Sequence, residues 1–323
     1  MIPRRMLIGS AIGTCLGIGF LIKDYLGGKK YTYRTNAGKN KVIIITGANT
    51  GIGKGTAKEL AFRKANLVLA CRDLHKCEKL RAKLIFSSKN QNIRCIKCDL
   101  SSQKSIKKFV DEFNQNYQKL DVLINNAGVY GLPRKTTVDG IEMHFGVNHI
   151  GHFLLTNLLL PKLKESAPSR IINLTSITYK KGNIDKEDLN FTKTYNIDQA
   201  YNQSKLANVL FTKELAKRLE GTGVTANAVY PGVVNTDLMR HTSFYNSWIS
   251  GIALKPILWA ITKNLKQGSQ PVLYAAIAPE LATESGYLFC HNFEKKELVL
   301  PNGVDESTAK WLWDVSMKWT KML

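Results

Sequence analysis

The chain is 323 residues long and 44% hydrophobic, with 46 Lys and Arg against 25 Asp and Glu, a formal charge of 46 − 25 = +21. That hydrophobic content excludes global disorder and supplies a full core, and with about 40 residues set apart at the front the remainder suits one large α/β domain rather than two. The charge points to anionic partners, either a phosphorylated cofactor or an acidic membrane surface, whereas scattered lysines and the lack of a dedicated motif argue against nucleic acid.

Residues 6–22 are an uncharged, mostly apolar run of 17, flanked by Arg4, Arg5, Lys23, Lys29 and Lys30. As a helix this run would be about 26 Å long, slightly short of a hydrocarbon core of roughly 30 Å. No small-residue cleavage site follows it, so an uncleaved anchor is expected over a removed signal peptide. Gly9, Gly13 and Gly17 recur every fourth residue, as helix packing in lipid favours, or simply weaken a generic anchor. The early arginines and few acids also fit organelle targeting. Residues 1–30 are therefore read as an anchor or targeting segment and 31–40 as a linker, with the catalytic domain expected over 41–323.

Residues 41–46 are β-branched and apolar, as a strand buried on both faces should be. Gly47-Ala48-Asn49-Thr50-Gly51-Ile52-Gly53 follows, then a helix with Ala57, Leu60 and Ala61 on one stripe. Glycines between a strand and a helix let backbone approach a pyrophosphate at the helix N-terminus. Alternation continues with strands at 66–71, 93–98, 120–124, 170–174 and 224–229, and helices to about 86, over 102–117, 140–165 and 199–219. A last strand is expected at 286–290 and a closing helix at 305–319. This order predicts a doubly wound, mostly parallel sheet of about seven strands, with its site beyond the carboxyl ends.

At the end of the second strand a dinucleotide fold often places an acid for the ribose hydroxyls. Here Cys71 stands there and Arg72 follows, so a 2′-phosphate, and hence NADP(H), is expected, with Asp73 as the alternative ribose ligand. Tyr201 and Lys205 lie four apart on a helix, on one face. An ammonium about 4 Å from a phenol, at an effective dielectric of about 20, stabilises the phenolate by roughly 4 kcal/mol. That would bring the phenol to a pKa of about 7, less any effect of burial, and make a tuned acid/base.

His144, His149 and His152 keep no acidic or thiol company, so packing and hydrogen bonding are expected rather than metal. Six cysteines fit a disulfide framework poorly, and Cys95-Ile96-Lys97-Cys98 ends a strand rather than opening a helix, so it reads as packing. The sequons at Asn173, Asn190 and Asn202 read as accidental. Residues 241–265 are rich in Phe, Tyr, Trp, Ile and Leu. They suit a lid over a hydrophobic substrate, a helix at the lipid interface with Lys255 and Lys263 reaching the headgroups, or a helix packed on the core.

The motifs Thr46 to Gly53, Asn125-Asn126-Ala127-Gly128, Val147-Asn148-His149, Ser176, Tyr201-x-x-x-Lys205 and Pro231-Gly232, in this order and spacing, resemble the short-chain dehydrogenase/reductases. Residues 146–157 and 204–212 narrow the resemblance to the membrane-bound retinol dehydrogenases. The resemblance implies a Rossmann-type domain, NADP(H), and reversible reduction of retinal or related lipid carbonyls. It implies Tyr201 as acid and base, Lys205 as the group that lowers its pKa and binds the nicotinamide ribose, and Ser176 as a hydrogen-bond partner of the substrate oxygen. Asn148 would hold a relay water. Gly47, Asn49, Thr50, Gly51, Ile52 and Gly53 would cradle phosphates, with Asp99 and Leu100 flanking adenine. Asn126, Ala127 and Gly128 would support the cofactor. Pro231, Gly232 and Val233 would approach the nicotinamide and Thr236 its carboxamide.

Ser176 and Tyr201 stand 25 apart, longer than is usual in the superfamily, and the extra piece around 180–194 resembles what the retinol subgroup carries. Lys23-Asp24-Tyr25 resembles a member associated with the mitochondrial inner membrane, whose relatives sit in the endoplasmic reticulum; both locations stay open, as does a homo-oligomer. Two other readings are a steroid or other carbonyl reductase, and an idle NADP(H)-binding membrane scaffold or sensor. The intact Asn148, Ser176, Tyr201 and Lys205 speak against idleness.

Overall fold

The computed structural model describes residues 28–32, 37–234, 236 and 262–322. The segment read as an anchor and most of the segment read as a lid lie outside them. Among the described residues no helix is long and apolar enough to cross a membrane.

The chain alternates β1 (Val42–Thr46), α1 (Gly51–Phe62), β2 (Asn66–Cys71), α2 (Leu74–Ser88), β3 (Ile93–Lys97), α3 (Gln103–Asn116) and β4 (Val122–Asn125). A helical turn, Met143–Phe145, and a π-helical turn, Gly146–Ile150, lead into α4 (Gly151–Glu165). Then come β5 (Ser169–Leu174), α5 (Ile197–Arg218), β6 (Val224–Val229), α6 (Leu265–Ile277), β7 (Tyr287–Phe289), β8 (Lys295–Glu297) and α7 (Glu306–Trp319). The sheet order is β3-β2-β1-β4-β5-β6-β7-β8. Every pairing is parallel except β7 with β8. The order reverses between β1 and β4, which opens a crevice at their carboxyl ends.

Strand periodicity divides the core. Ile43, Ile45, Leu67 and Leu69 pack on the face covered by α1, α2 and α6, and Val42, Ile44, Val68 and Ala70 on the face covered by α3, α4 and α5. At about 25 cal/mol per Å² of apolar surface removed from water, such two-sided burial is the main stabilising term. Among the described residues the sheet has eight strands where the sequence pointed to about seven. The eighth is a fully exposed Lys-Lys-Glu edge that carries no apolar signal. Helix α6 opens on a capping box, Asn264 with Gln267, a local signal of its start. Tyr31, read as linker, is buried: its N–H donates to Gln270 Oε1 at 2.9 Å and its ring meets the edges of Tyr274 and Phe293.

The cysteine reading needs correction: Cys77 of α2 and Cys95 of β3 form a disulfide, with Cα atoms 6.0 Å apart. Helix α2 packs across the edge strand and brings together residues 18 apart in sequence. Cys98 lies with the opposite core face from Cys77, because strand residues three apart point to opposite sides. Cys71, Cys98 and Cys290 are free and buried.

Candidate active site

Gly47 closes β1 at φ 65°, and a Cβ there would stand 2.9 Å from Ala127 Cα. A Cβ on Gly53 would stand 2.5 Å from Gly47 O. These two glycines let the loop fold tightly over the start of α1, whose first amides have no helical partner and can meet an anion. Thr50 caps α1 without using its side chain. Asn49 Nδ2 donates to Asp73 O at 3.1 Å, and the buried Cys71 thiol accepts from the loop N–H groups of Ala48 and Asn49 while burial pushes its pKa up to about 12. The loop therefore rests on the end of β2. Ile52 packs partly buried against the core.

Thr46 is a hub beneath this loop. Its Oγ1 accepts from the N–H groups of Asn126 and Ala127 at 2.9 and 3.0 Å and lies 2.9 Å from His152 Nε2. His152 Nδ1 faces the Asn148 carbonyl at 2.9 Å and must donate to it, so Nε2 accepts from the Thr46 hydroxyl. Burial, the largest cause, holds His152 down to about 4, which keeps it neutral. Asn126 Nδ2 also donates to Thr46 O at 2.7 Å. One buried chain thus joins the glycine loop, the 125–128 turn and Asn148. The other histidines also serve packing: His149 meets Ser316 Oγ and His144 meets Glu142 Oε1.

Beyond β4 and β5 the sequence-predicted residues Asn148, Ser176, Tyr201 and Lys205 converge. Asn196 caps α5 by accepting from Asp198 and Gln199, which starts the helix just before Tyr201. Tyr201 is 8% exposed, its ring edge-on to Tyr130 at 4.7 Å, and its phenol hydrogen-bonds to Ser176. Lys205 Nζ lies 5.6 Å from the centre of the Tyr201 ring and 3.4 Å from Leu174 O. Asn148 Oδ1 accepts from Val129 N–H at 2.8 Å, and its Nδ2 donates to Ser204 Oγ at 2.9 Å. A Cβ on Gly128 would stand 3.4 Å from Asn148 Oδ1 and 3.5 Å from Lys205 Nζ, so the 125–128 turn runs in contact with both groups.

The electrostatics run opposite to the expectation of a phenol lowered to about 7. Burial raises the Tyr201 pKa well above its ordinary 10, with the Ser176 bond lowering it in part. Burial also brings Lys205 down to about 8. Both groups sit in the same desolvated crevice, so the cost of charging either one exceeds their mutual help.

Arg72 is exposed at the end of β2. Asp73 Oδ1 caps α2 by accepting from Lys76 N–H at 3.0 Å. Asp99 Oδ1 accepts from Ser101 N–H and Oγ–H, and Leu100 packs against Gly151. Pro231 is buried, Gly232 has φ 87°, and Val233 is 57% exposed, an apolar surface left open on the rim. Thr236 Cγ2 would lie 3.2 Å from a Cβ on Gly51, so this segment reaches back over the glycine loop.

Two residues of the site escaped the sequence reading. Tyr130 packs on Tyr201 and donates to Asp198 Oδ1 at 2.6 Å; its place just past Asn125-Asn126-Ala127-Gly128 was the available signal. Lys263 does not reach outward to headgroups. It is 5% exposed, with its N–H donating to Val233 O at 2.8 Å and its Cε 3.2 Å from where a Gly232 Cβ would be. Its Nζ finds no hydrogen-bond partner among the described residues, and burial lowers its pKa to about 8.

A family model described as short chain dehydrogenase matches residues 41–244. The chain belongs to the short-chain dehydrogenase family. Human retinol dehydrogenase 13 is 50% identical over 317 residues, covering 98% of this chain and 95% of that protein. Human retinol dehydrogenase 12 is 47% identical over 280 residues, 85% of each. Among solved structures, a protein of Mycobacterium paratuberculosis superposes with a TM-score of 0.71 at 31% identity, covering 91% of this chain and 98% of that one. The Pseudomonas aeruginosa RhlG/NADP active-site complex shares the fold, with a TM-score of 0.63 at 22% identity over 85% of this chain and 99% of that one. This short-chain dehydrogenase is therefore an oxidoreductase of the retinol dehydrogenase group that uses a nicotinamide cofactor. The cradle over α1, closed to any side chain at Gly47 and Gly53, fits a dinucleotide.

Proposed function

We propose that this enzyme reduces retinal and related lipid aldehydes to alcohols with NADPH, and runs the reverse reaction when the alcohol and oxidised cofactor are in excess. The observation that carries the reading is the meeting of Ser176, Tyr201 and Lys205 in one crevice beside the 125–128 turn. The relatives named for retinol supply the substrate class.

A nicotinamide cofactor, when bound, would supply the hydride for the carbonyl carbon. This chain's residues supply the rest. Ser176 orients the substrate oxygen, and Tyr201, held protonated by burial, donates its proton to that oxygen. Lys205, near 8, is mostly charged at neutral pH and steadies the phenolate as it forms. Asn148 holds the Val129 turn and Ser204 in place behind the lysine. Gly47, Asn49, Thr50, Gly51, Ile52 and Gly53 would hold the diphosphate, Asp99 and Leu100 the adenine, and Asn126, Ala127, Gly128, Pro231, Gly232, Val233 and Thr236 the nicotinamide half. NADPH is preferred because Arg72 is exposed for a 2′-phosphate while the competing carboxylate of Asp73 is engaged in capping α2. Attachment to a membrane through residues 1–30, in the mitochondrial inner membrane or the endoplasmic reticulum, suits an apolar substrate.

The test is turnover of NADPH with retinal by the purified protein in detergent. Tyr201→Phe should lower kcat by about 10²- to 10⁴-fold with cofactor affinity kept. Near-normal turnover of that variant would refute the mechanism, and a panel of steroid and aliphatic carbonyls ranks the substrate class.

A further inference from the structure

Lys263 takes no part in the steps above, yet it contacts the turn that follows β6 along its whole length. Its main-chain N–H donates to Val233 O at 2.8 Å, and it pairs with Val234 in an isolated parallel bridge. Its side chain then crosses the turn: Cε and Cδ lie 3.2 and 3.4 Å from where a Cβ on Gly232 would stand. Gly232 has φ 87°, and His291 Cβ, just past β7, is 3.6 Å from the same point.

The far end of the side chain meets the chain at Gly28. Lys263 Nζ is 3.0 Å from where a Cβ on Gly28 would stand, and His291 O and Asn292 Oδ1 are 2.8 and 2.9 Å from that point. Gly28, at φ 77°, thus fills a notch built from an amine, a carbonyl and an amide, with no room for a side chain. Both ends of this arrangement are anchored. Tyr31 is buried, with its N–H donating to Gln270 on α6, and Asn264, the residue after Lys263, caps α6. The amine has no hydrogen-bond partner among the described residues, so its contact with Gly28 is one of packing. Lys263 is a strut between Gly28 and α6, and its unbranched stem presses on Gly232 with no branch to crowd the turn.

We propose that Lys263 is a positioning residue for hydride transfer, that its stem sets the Pro231–Gly232 turn, and that Gly28 backs it. The role rests on the reading that this turn supports the nicotinamide half of the cofactor. Removing the stem opens space behind a glycine, whose backbone is the least restrained of any residue, and the turn relaxes into it. The turn then no longer fixes the distance over which the hydride passes, and rate depends steeply on that distance. The adenine and diphosphate ends, assigned to Asp99, Leu100 and the glycine loop, rest on other elements.

The test uses the full chain in detergent. Titration calorimetry measures binding of NADPH and of adenosine 2′,5′-bisphosphate, which lacks the nicotinamide half, and kcat is measured beside it. Lys263→Ala should lower kcat by about 10- to 100-fold and weaken NADPH by about three- to tenfold, with the bisphosphate held within about twofold. Lys263→Met keeps the stem and should recover kcat to within about threefold of the parent. Gly28→Ala should also weaken NADPH and spare the bisphosphate, because its Cβ displaces the amine or the His291 carbonyl. Parent-like NADPH binding and kcat in Lys263→Ala, equal weakening of both ligands, or a Met variant as impaired as the Ala variant would overturn the role of the stem. A Gly28→Ala protein that matches the parent would overturn the backing by Gly28. Binding is read without turnover, so these outcomes are separate from a failure of the retinal reading, which shows as a parent that binds NADPH and leaves retinal unreduced.

Discussion

Lys263 offers a measurement of what burial costs in this fold. The residue is 5% exposed, its buried amine has no hydrogen-bond partner among the described residues, and burial lowers its pKa to about 8 from its ordinary 10.5. Below about pH 8 both folded and unfolded states hold the proton, and the folded state carries the full desolvation penalty. Between about 8 and 10.5 the unfolded chain binds more protons than the folded one, so stability rises with pH. The gap, at about 1.36 kcal/mol per pH unit, makes the penalty on the order of 3 kcal/mol at pH 7. Lys263→Met keeps the unbranched stem and removes the charge. The variant should be more stable than the parent at pH 7.5, and its advantage should shrink by about 2 kcal/mol between pH 8 and 9.5. Urea unfolding of both proteins at several pH values gives the difference directly. Lys205, also lowered to about 8, and the thiols and phenols raised by burial contribute to both proteins and cancel in that difference. A difference that does not change with pH, or that favours the parent throughout, would refute the reasoning.

Arg72→Ala should raise the KM for NADPH by about 10- to 100-fold, the worth of a charge-assisted contact, and barely affect NADH; equal losses in steady-state assays with the two cofactors would remove the 2′-phosphate role. Thr46→Val should destabilise the fold by about 2–4 kcal/mol, because it strips an acceptor from two main-chain N–H groups and a donor from His152. By calorimetry that is a fall of about 5–15 °C in Tm, and an unchanged Tm would show that the hub is dispensable. Removing residues 1–30 should shift the protein from the membrane pellet to the supernatant on fractionation; unchanged recovery in the pellet would refute that segment as the sole attachment.

The parts of this protein that depend on neighbours in sequence were legible there. Strands such as Val42–Thr46 and Val224–Val229 are continuous apolar runs because both sheet faces are covered, and that composition is local. The glycine loop, the 125–128 turn and the Tyr201–Lys205 spacing are short motifs whose chemistry follows from strand ends and helix faces. The three-residue β8 was not legible, since a charged, exposed edge has no periodicity to read. Nor was the Cys77–Cys95 bond, which needs α2 laid across β3.

The order of elements, the parallel sheet and the position of the crevice were settled by the sequence alone, because hydrophobic period and glycine placement leave few ways to wind such a chain. Tertiary structure alone decided the electrostatics. Tyr201 is raised rather than lowered, Lys205 is brought to about 8, Lys263 points inward, and Thr46 ties together segments some 80 and 106 residues away. The reason is that a pKa depends on how much water is excluded around a group, and that exclusion is set by elements distant in the chain.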